Sequence, residues 1–424
     1  MKEDFLHYIW RYALYSKTAL VTAQKEEIKV VKPGLYNTNA GPDFLNSELI
    51  IDGQKWVGNI EIHSNTSDWY SHGHESDVSY DAVILHVVWN HDAEVYMKCN
   101  TPIPTLELKE IVPHHILFNY KKLHNSDLKW IPCEHEITGV DSFMIKYWLE
   151  RLYVERLESK MIVVEKLLEK SQYNWEAVFF QLVAKNFGLS VNGDAFLKLA
   201  QSFDYTILQK EHFNELALSA LLFGQAGFLE DILEDAYHTR LRKEYIYLKH
   251  KHGLKHLQKN EFQFFRMRPH NFPTIRIAQL VALLHSKTRF FSMTINAVEV
   301  AEFYKLFKIE IHDYWKTHFN FGKASKKSAK RLSDSFIDLV LINTVLLLKF
   351  SYQKKRGNLD TVAIIKLIEE LTPEKNSIVH KFSELGISPK NALESQALLQ
   401  LKNSYCTAKR CLECAIGKSI LGRK

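Results

Sequence analysis

The feature that most constrains the fold is a change of hydrophobic period near residue 140. Before it, short apolar runs at 19–22, 28–31, 47–51, 56–63, 83–89, 94–97 and 105–108 are separated by Pro33-Gly34, Asp52-Gly53 and Pro102/Pro104. Such runs read as strands, and the residues between them favour turns for backbone reasons. After it, Phe143, Tyr147, Leu149, Leu152, Leu157, Ile162, Val164, Leu167 and Leu168 recur at three- and four-residue steps. That spacing puts them on one side of a helix, and strand signals then nearly vanish. Helices are expected over 175–187, 193–202, 213–223, 227–251, 274–284, 296–306, 333–350, 360–371 and 392–405, and 285–330 is the most loop-like stretch. No repeat of solenoid length is present.

These patterns predict an α+β protein. An α/β domain with a mixed sheet is expected over 1–135, an irregular all-α domain over 136–405, and a cysteine-containing tail over 406–424 packed on the helical domain. A length of 424 residues is too great for one ordinary core. The start, over about 4–15, reads as a helix; Glu3 and Asp4 come early and no apolar core precedes a small-residue cleavage site, so it does not resemble a signal peptide. The longest apolar run, 336–350, is interrupted by Asp338 and Asn343 and falls short of the roughly 20 residues a spanning helix needs. A buried core helix is expected there, and no membrane partner. Five cysteines without a secretory signal point to a reducing compartment, taken as the cytoplasm. A formal charge of +6 permits a nucleic-acid partner without implying one.

Polar chemistry is concentrated in residues 41–89, which collect Asp43, Glu61, His63, Asp68, His72, His74, Asp77 and His86. Asp52-Gly53 between two alternating runs is a hairpin signal, and pairing the flanking strands brings Asp43 near Glu61 and His63. A strict two-residue turn would set Asp43 opposite Ile62 and point the two acids to different faces. A longer loop or a bulge would instead set Asp43 opposite His63, with Glu61 diagonal on the same face. In that second register Asp43 and Glu61 form an oxygen-rich site for Mg²⁺ or Mn²⁺, and His63 can orient or deprotonate a water. The plain alternative is a turn at Gly41-Pro42-Asp43 and a solvated strand face.

Pro42-Asp43 and Glu61-Ile62-His63 resemble the restriction-endonuclease-like superfamily, whose pattern is Pro-Asp, a spacer, then Asp/Glu-x-Lys on the next strand. The order helix, hairpin, helix, strand is similar too. The resemblance covers about residues 1–110 and implies a divalent-metal-dependent nuclease. His63 stands where that superfamily has lysine, so a permanent positive charge is missing from the pattern. A separate reading uses His72-Gly73-His74 with Asp77, joined by His63 or His86, as a zinc or manganese hydrolase site. Surface loop histidines are the alternative. His86, flanked by apolar residues, reads as a buried strand histidine.

Basic residues recur in the helical part. Between 238 and 259 stand Arg240, Arg242, Lys243, Lys249, Lys251, Lys255 and Lys259, with Tyr245 and Tyr247 interleaved. Such a stripe can track phosphates and stack a base, or be an ordinary solvated face. Arg266, Arg268 and Arg276 surround two prolines and can converge on one anion or form an internal salt-bridge hub. Lys326, Lys327 and Arg331 precede a helix, where anions are favoured. Asn192-Gly193-Asp194 reads as a turn and helix cap.

Cys406, Cys411 and Cys414 give three closely spaced thiols near the end, one short of a closed zinc site that Cys133, Cys99 or a histidine would complete. An iron–sulfur cluster is the alternative ligand, and isolated buried cysteines the plain one. Taken together, the Gly-Pro-Asp-Phe, Glu-Ile-His, His-Gly-His, His-Val-Val, Asn-Gly-Asp, Arg-x-Arg-Pro-x-Asn-Phe-Pro-x-x-Arg and C-terminal cysteine elements resemble a bacterial domain-of-unknown-function family over nearly the whole chain. That likeness carries no activity. The functional expectation is therefore a divalent-metal-dependent nuclease acting on DNA or RNA, with a non-catalytic nucleic-acid-binding or scaffold protein as the rival.

Overall fold

The computed structural model describes residues 1–124 and 129–423. The chain divides into two units, Met1–Trp148 together with Lys402–Lys424, and Leu149–Leu401. The protein is thus α+β, with a mixed sheet at the N-terminal end and a large helical part after it.

The first unit opens on α1 (Glu3–Arg11), whose buried Phe5, Leu6, Ile9 and Trp10 leave its charged residues outside. The sheet follows as β1 (Ile28–Lys32), β2 (Leu35–Tyr36), β3 (Phe44–Ile51), β4 (Gln54–Asn65), β5 (Val83–Asn90) and β6 (Thr105–Glu107). Its order is β1-β3-β4-β5-β6, with β2 also pairing with β3. β1–β3 and β3–β4 are antiparallel, whereas β4–β5 and β5–β6 are parallel. Two expected strands, 19–22 and 94–97, contribute only the isolated bridges of Val21 and Tyr96.

The hairpin turn is tight. Ile51 pairs with Gln54, and Asp52 and Gly53 both take positive φ (45° and 80°), as a primed two-residue turn requires. The bulge lies further along, within β3: Ser47 pairs with Gly58 but Phe44 pairs with Ile60. Asn46 carries it in the left-handed region (φ 56°), which asparagine tolerates better than most residues, and its N–H meets Asn59 Oδ1 at 3.2 Å. One step beyond Phe44–Ile60, Asp43 therefore lines up with Glu61 itself. Neither expected register is realised; the extra residue sits on β3 and the acids are directly opposed, on one face.

Parallel pairing of β4 with β5 obliges the chain to leave the sheet between them. The crossover carries the short helix α2 (Asp68–Ser71) and a loop through His72 and His74. Buried Trp69 of α2 packs with Val83, Val95 and Ile103 and lies 5.5 Å from the His86 ring, so the crossover folds back over the sheet face that carries His86. β4 and β5 approach closely at Gly58, where a Cβ would meet Ile84 Cγ2 at 2.4 Å and Ala82 O at 2.6 Å. After β6, α3 (His114–His124) and the first turns of α4 (Ser142–Lys170) complete the N-terminal part of the unit.

The residues from Lys402 on, expected on the helical domain, belong to the sheet-bearing unit instead. The reason is polar as well as apolar: Asn119 Nδ2 donates to the carbonyls of Ile420, Leu421 and Arg423 at the end of helix Ala415–Leu421.

The second unit is helical, with helix Trp175–Phe187 as expected. The stretch 285–330, the most loop-like by pattern, holds the helix expected over 296–306 as Val300–Leu306, and also helices Phe290–Asn296 and Asp313–Lys316 and a hairpin of His318–Asn320 with Lys323–Ala324. Helix Asp334–Lys355 is long and apolar enough to cross a membrane by length and composition, but 78% of its apolar window is buried within the fold, as befits a core helix.

Replacing Gly58 by alanine should destabilise the protein by about 1–3 kcal/mol, the range for overpacking a filled site. Urea unfolding midpoints of wild type and Gly58→Ala measure this; equal midpoints would show that the two strands have room to separate.

Candidate metal centre

The opposed strands bind Asp43 and Glu61 to each other's backbone. Asp43 N–H donates to Glu61 Oε2 at 3.1 Å, and Ile62 N–H donates to Asp43 Oδ2 at 3.0 Å. This exchange fixes both carboxylates and leaves Glu61 Oε1 directed elsewhere. It lies 3.5 Å from His63 Nε2 and 3.4 Å from His74 Nε2. His72, on the same loop as His74, brings Nδ1 to 3.0 Å from His63 Nε2. The ligand nitrogens of His63, His72 and His74 all lie within 4.8 Å of one another. Tetrahedral zinc with bonds of roughly 2.0–2.1 Å has donor–donor edges of about 3.3 Å, so these spacings suit a transition ion.

Each donor is held by its neighbours. His63 shares β4 and its face with Glu61, and its Nδ1 is 2.8 Å from Nε2 of His86, which pairs with Glu61 across the parallel ladder. A ring nitrogen engaged in this way orients the opposite one toward a metal. His74 is clamped between Tyr80, stacked at 3.7 Å, and Trp69, edge-on at 5.3 Å. Its Nε2 is buried and makes no hydrogen bond, with only the 3.4 Å approach of Glu61 Oε1 beside it, a costly state for a polar atom that a bound cation would relieve. His72 is exposed and opens the centre to solvent. His7 of α1, not anticipated from the sequence, stands beside the acids with Nε2 3.1 Å from Asp43 Oδ2.

Burial dominates the electrostatics. It pushes the Glu61 carboxyl up to about 9, reinforced by the Asp43 charge. It pushes His63 down to about 2 and His86 down to about 3, with neighbouring histidines adding to the effect, and lowers His74 as well. Neutral imidazoles are the form that ligates a metal.

The structure thus merges two expectations. Asp43, Glu61 and His63, read as a nuclease site, and His72 and His74, read as a separate hydrolase site, converge on one place. Asp77 does not join them; its Oδ1 accepts Ser79 N–H at 2.8 Å and caps the turn Val78–Tyr80. Glu61 stands where Asp77 was expected.

The basic residues expected to bind substrate all lie in the second unit. Arg266, Arg268, Lys326, Lys327 and Arg331 are exposed. Arg276 is not available for an anion: it is buried against the Phe336 ring, with Nη1 bonded to Gln279 Oε1 and Nη2 to Asn271 Oδ1. Among the described residues its partners are neutral, so it is neither the convergent anion site nor the salt-bridge hub. Tyr245, expected to stack a base, is buried and bonded to Gln225. Asn192 is no turn residue; inside helix Leu189–Gln201 it exchanges hydrogen bonds with the backbone of Gln263.

Residues 3–377 match a family model described as "Protein of unknown function (DUF2851)". No curated protein and no solved structure matches the chain.

The buried histidines predict a pH dependence of stability in metal-stripped protein. Below about 6.5 the unfolded chain protonates His63 and His86 while the fold keeps them neutral, so each lowers stability as pH falls, toward a limit of about 1.4 kcal/mol per pH unit. Glu61 acts the other way, being protonated in the fold and ionised when unfolded above about 4.5, and cancels one of the two. Urea unfolding of wild type should therefore lose about 1 kcal/mol per pH unit near pH 5.5. His86→Gln should flatten this slope; an equally steep slope would contradict the assignment.

Proposed function

The chain belongs to that family of unknown function, so its activity must be read from the site, and we propose that it is a metal-dependent hydrolase of phosphodiesters. The observation that carries this reading is the convergence of Glu61 Oε1 with the imidazoles of His63, His72 and His74. Three nitrogens and one carboxylate oxygen favour Mn²⁺ or Zn²⁺ over the Mg²⁺ that two carboxylates alone would hold. A bound ion supplies Lewis-acid chemistry, polarising a phosphoryl oxygen and making a water more acidic.

The protein's own groups do the rest. Glu61, His63 and His74 are presented from the strand and the crossover at fixed positions, and His72 is the ligand nearest solvent. His86 orients His63. In this reading Asp43, with His7 3.1 Å away, takes a proton from an attacking water on the flank of the centre. The phosphodiester class rests on the likeness of Pro42-Asp43 and Glu61-Ile62-His63, with the order α1, hairpin β3–β4, α2, β5, to the restriction-endonuclease-like superfamily. DNA or RNA is then the substrate. The exposed Lys326, Lys327, Arg331, Arg266 and Arg268 are candidates to bind its phosphates, and the helical unit as a non-catalytic binder is the outcome if no turnover is found.

The test is incubation of purified full-length protein with labelled single- and double-stranded DNA and RNA in Mn²⁺, Zn²⁺ or Mg²⁺, together with elemental analysis. Cleavage should fall at least about 100-fold in Asp43→Asn, the scale of a lost proton-transfer group. His72→Ala should lose cleavage and the equivalent of metal held at the histidines. Cleavage at the wild-type rate in both variants would sink the proposal.

A further inference from the structure

All five cysteines lie in the first unit, and four of them come from two segments of it. Cys133, Cys411 and Cys414 are buried and Cys406 is half-buried, and all four are free. They come from two segments held together by polar ties: Lys402 Nζ donates to Trp130 O at 2.8 Å, and Arg423 Nη1 to Glu136 O at 3.3 Å. Cys133 begins a turn in which Glu136 and Ile137 N–H groups return to its carbonyl. Cys406 ends a wide π-turn over Leu401–Cys406, a local insertion of the kind often found at functional sites. Each of the four thiols lies within electrostatic reach of the other three, and burial raises all of them.

The Cys411–Cys414 turn is shaped around sulfur. Cys414 N–H returns to Cys411 O at 3.3 Å. Gly417 lies so close to that carbonyl that a Cβ would stand 2.2 Å from Cys411 O. This close packing lets the backbone N–H groups of Ile416 and Gly417 donate to the Cys414 sulfur. Donors of this sort stabilise a thiolate, the form that binds metal. Lys402, Lys409 and Lys418 place positive charge around the group. That suits a Zn²⁺ with four thiolates, whose net charge is negative. Cys99 is exposed and outside this group.

We propose that Cys133, Cys406, Cys411 and Cys414 bind one structural Zn²⁺, which ties the C-terminal segment to the turn at Cys133–Ile137. Four protein ligands close the coordination sphere, so the ion is structural rather than catalytic. Loading releases the thiol protons to solvent, and the bound metal contributes to folding stability. The three C-terminal ligands lie beyond the residues matched by the family model, whereas Cys133 lies within them.

The experiment uses full-length His72→Ala protein, in which the histidine centre is disabled, stripped of metal under reducing conditions and reloaded with Zn²⁺ or Co²⁺. One equivalent of metal should remain after desalting, and the cobalt form should show intense thiolate-to-cobalt charge-transfer absorption. Cys133→Ser and Cys411→Ser in the same background should each weaken or abolish that absorption. Because those variants can fail to fold, the zinc form of the parent is also titrated with a thiol reagent beside a zinc indicator. Modification of Cys99 should release no zinc, and modification of the other four should release one equivalent. Retention of no metal, or complete thiol modification without zinc release, would overturn the assignment.

Discussion

The candidate centre depends on one extra residue in β3. With the bulge at Asn46, the hairpin sets Asp43 opposite Glu61, and each strand supplies a backbone N–H to the other's carboxylate. Without it the hairpin's two-residue turn would set Asp43 opposite Ile62, because side chains alternate along a strand. Glu61 would then lose the N–H bond that turns its Oε1 toward the histidines. The parallel ladder makes the next connection, aligning His86 with Glu61 and so placing the residue that orients His63.

The strands and the later helices were legible because period two and period 3.6 are imposed by burial of one face. The concentration of acids and histidines between 41 and 89 was legible as well. The direction of the register shift was not, since it is decided by Asn46, a residue whose tolerance of positive φ is only a propensity. That His72 and His74 join Glu61 depends on the path of the crossover, which no local pattern encodes. His7 was missed for a related reason: on α1 it is one polar residue among buried Phe5, Leu6, Ile9 and Trp10, and only the packing brings it to Asp43. Asp77 misled because an acid beside two histidines resembles a ligand while a short turn needs an acceptor at the same position.

The second unit shows how charge can mislead in another way. Arg276 lies in a Pro- and Arg-rich stretch that suggests an anion site, yet helix Pro273–Ser286 turns it inward onto neutral amides and an aromatic face. Buried with no carboxylate partner among the described residues, it is held by geometry rather than by charge pairing, and burial lowers its pKa to about 10.

The crossover between β4 and β5 has a consequence for how this fold can change. Glu61 and His63 are committed to the sheet, where any shift of register would disturb buried neighbours. His72 and His74 sit on a segment that parallel pairing requires anyway and whose tip is exposed. A chain of this architecture can therefore alter two of the four converging side chains by substitutions in the crossover while the sheet stays as it is. Chemistry and scaffold are separable here along a line that runs between residues 65 and 68.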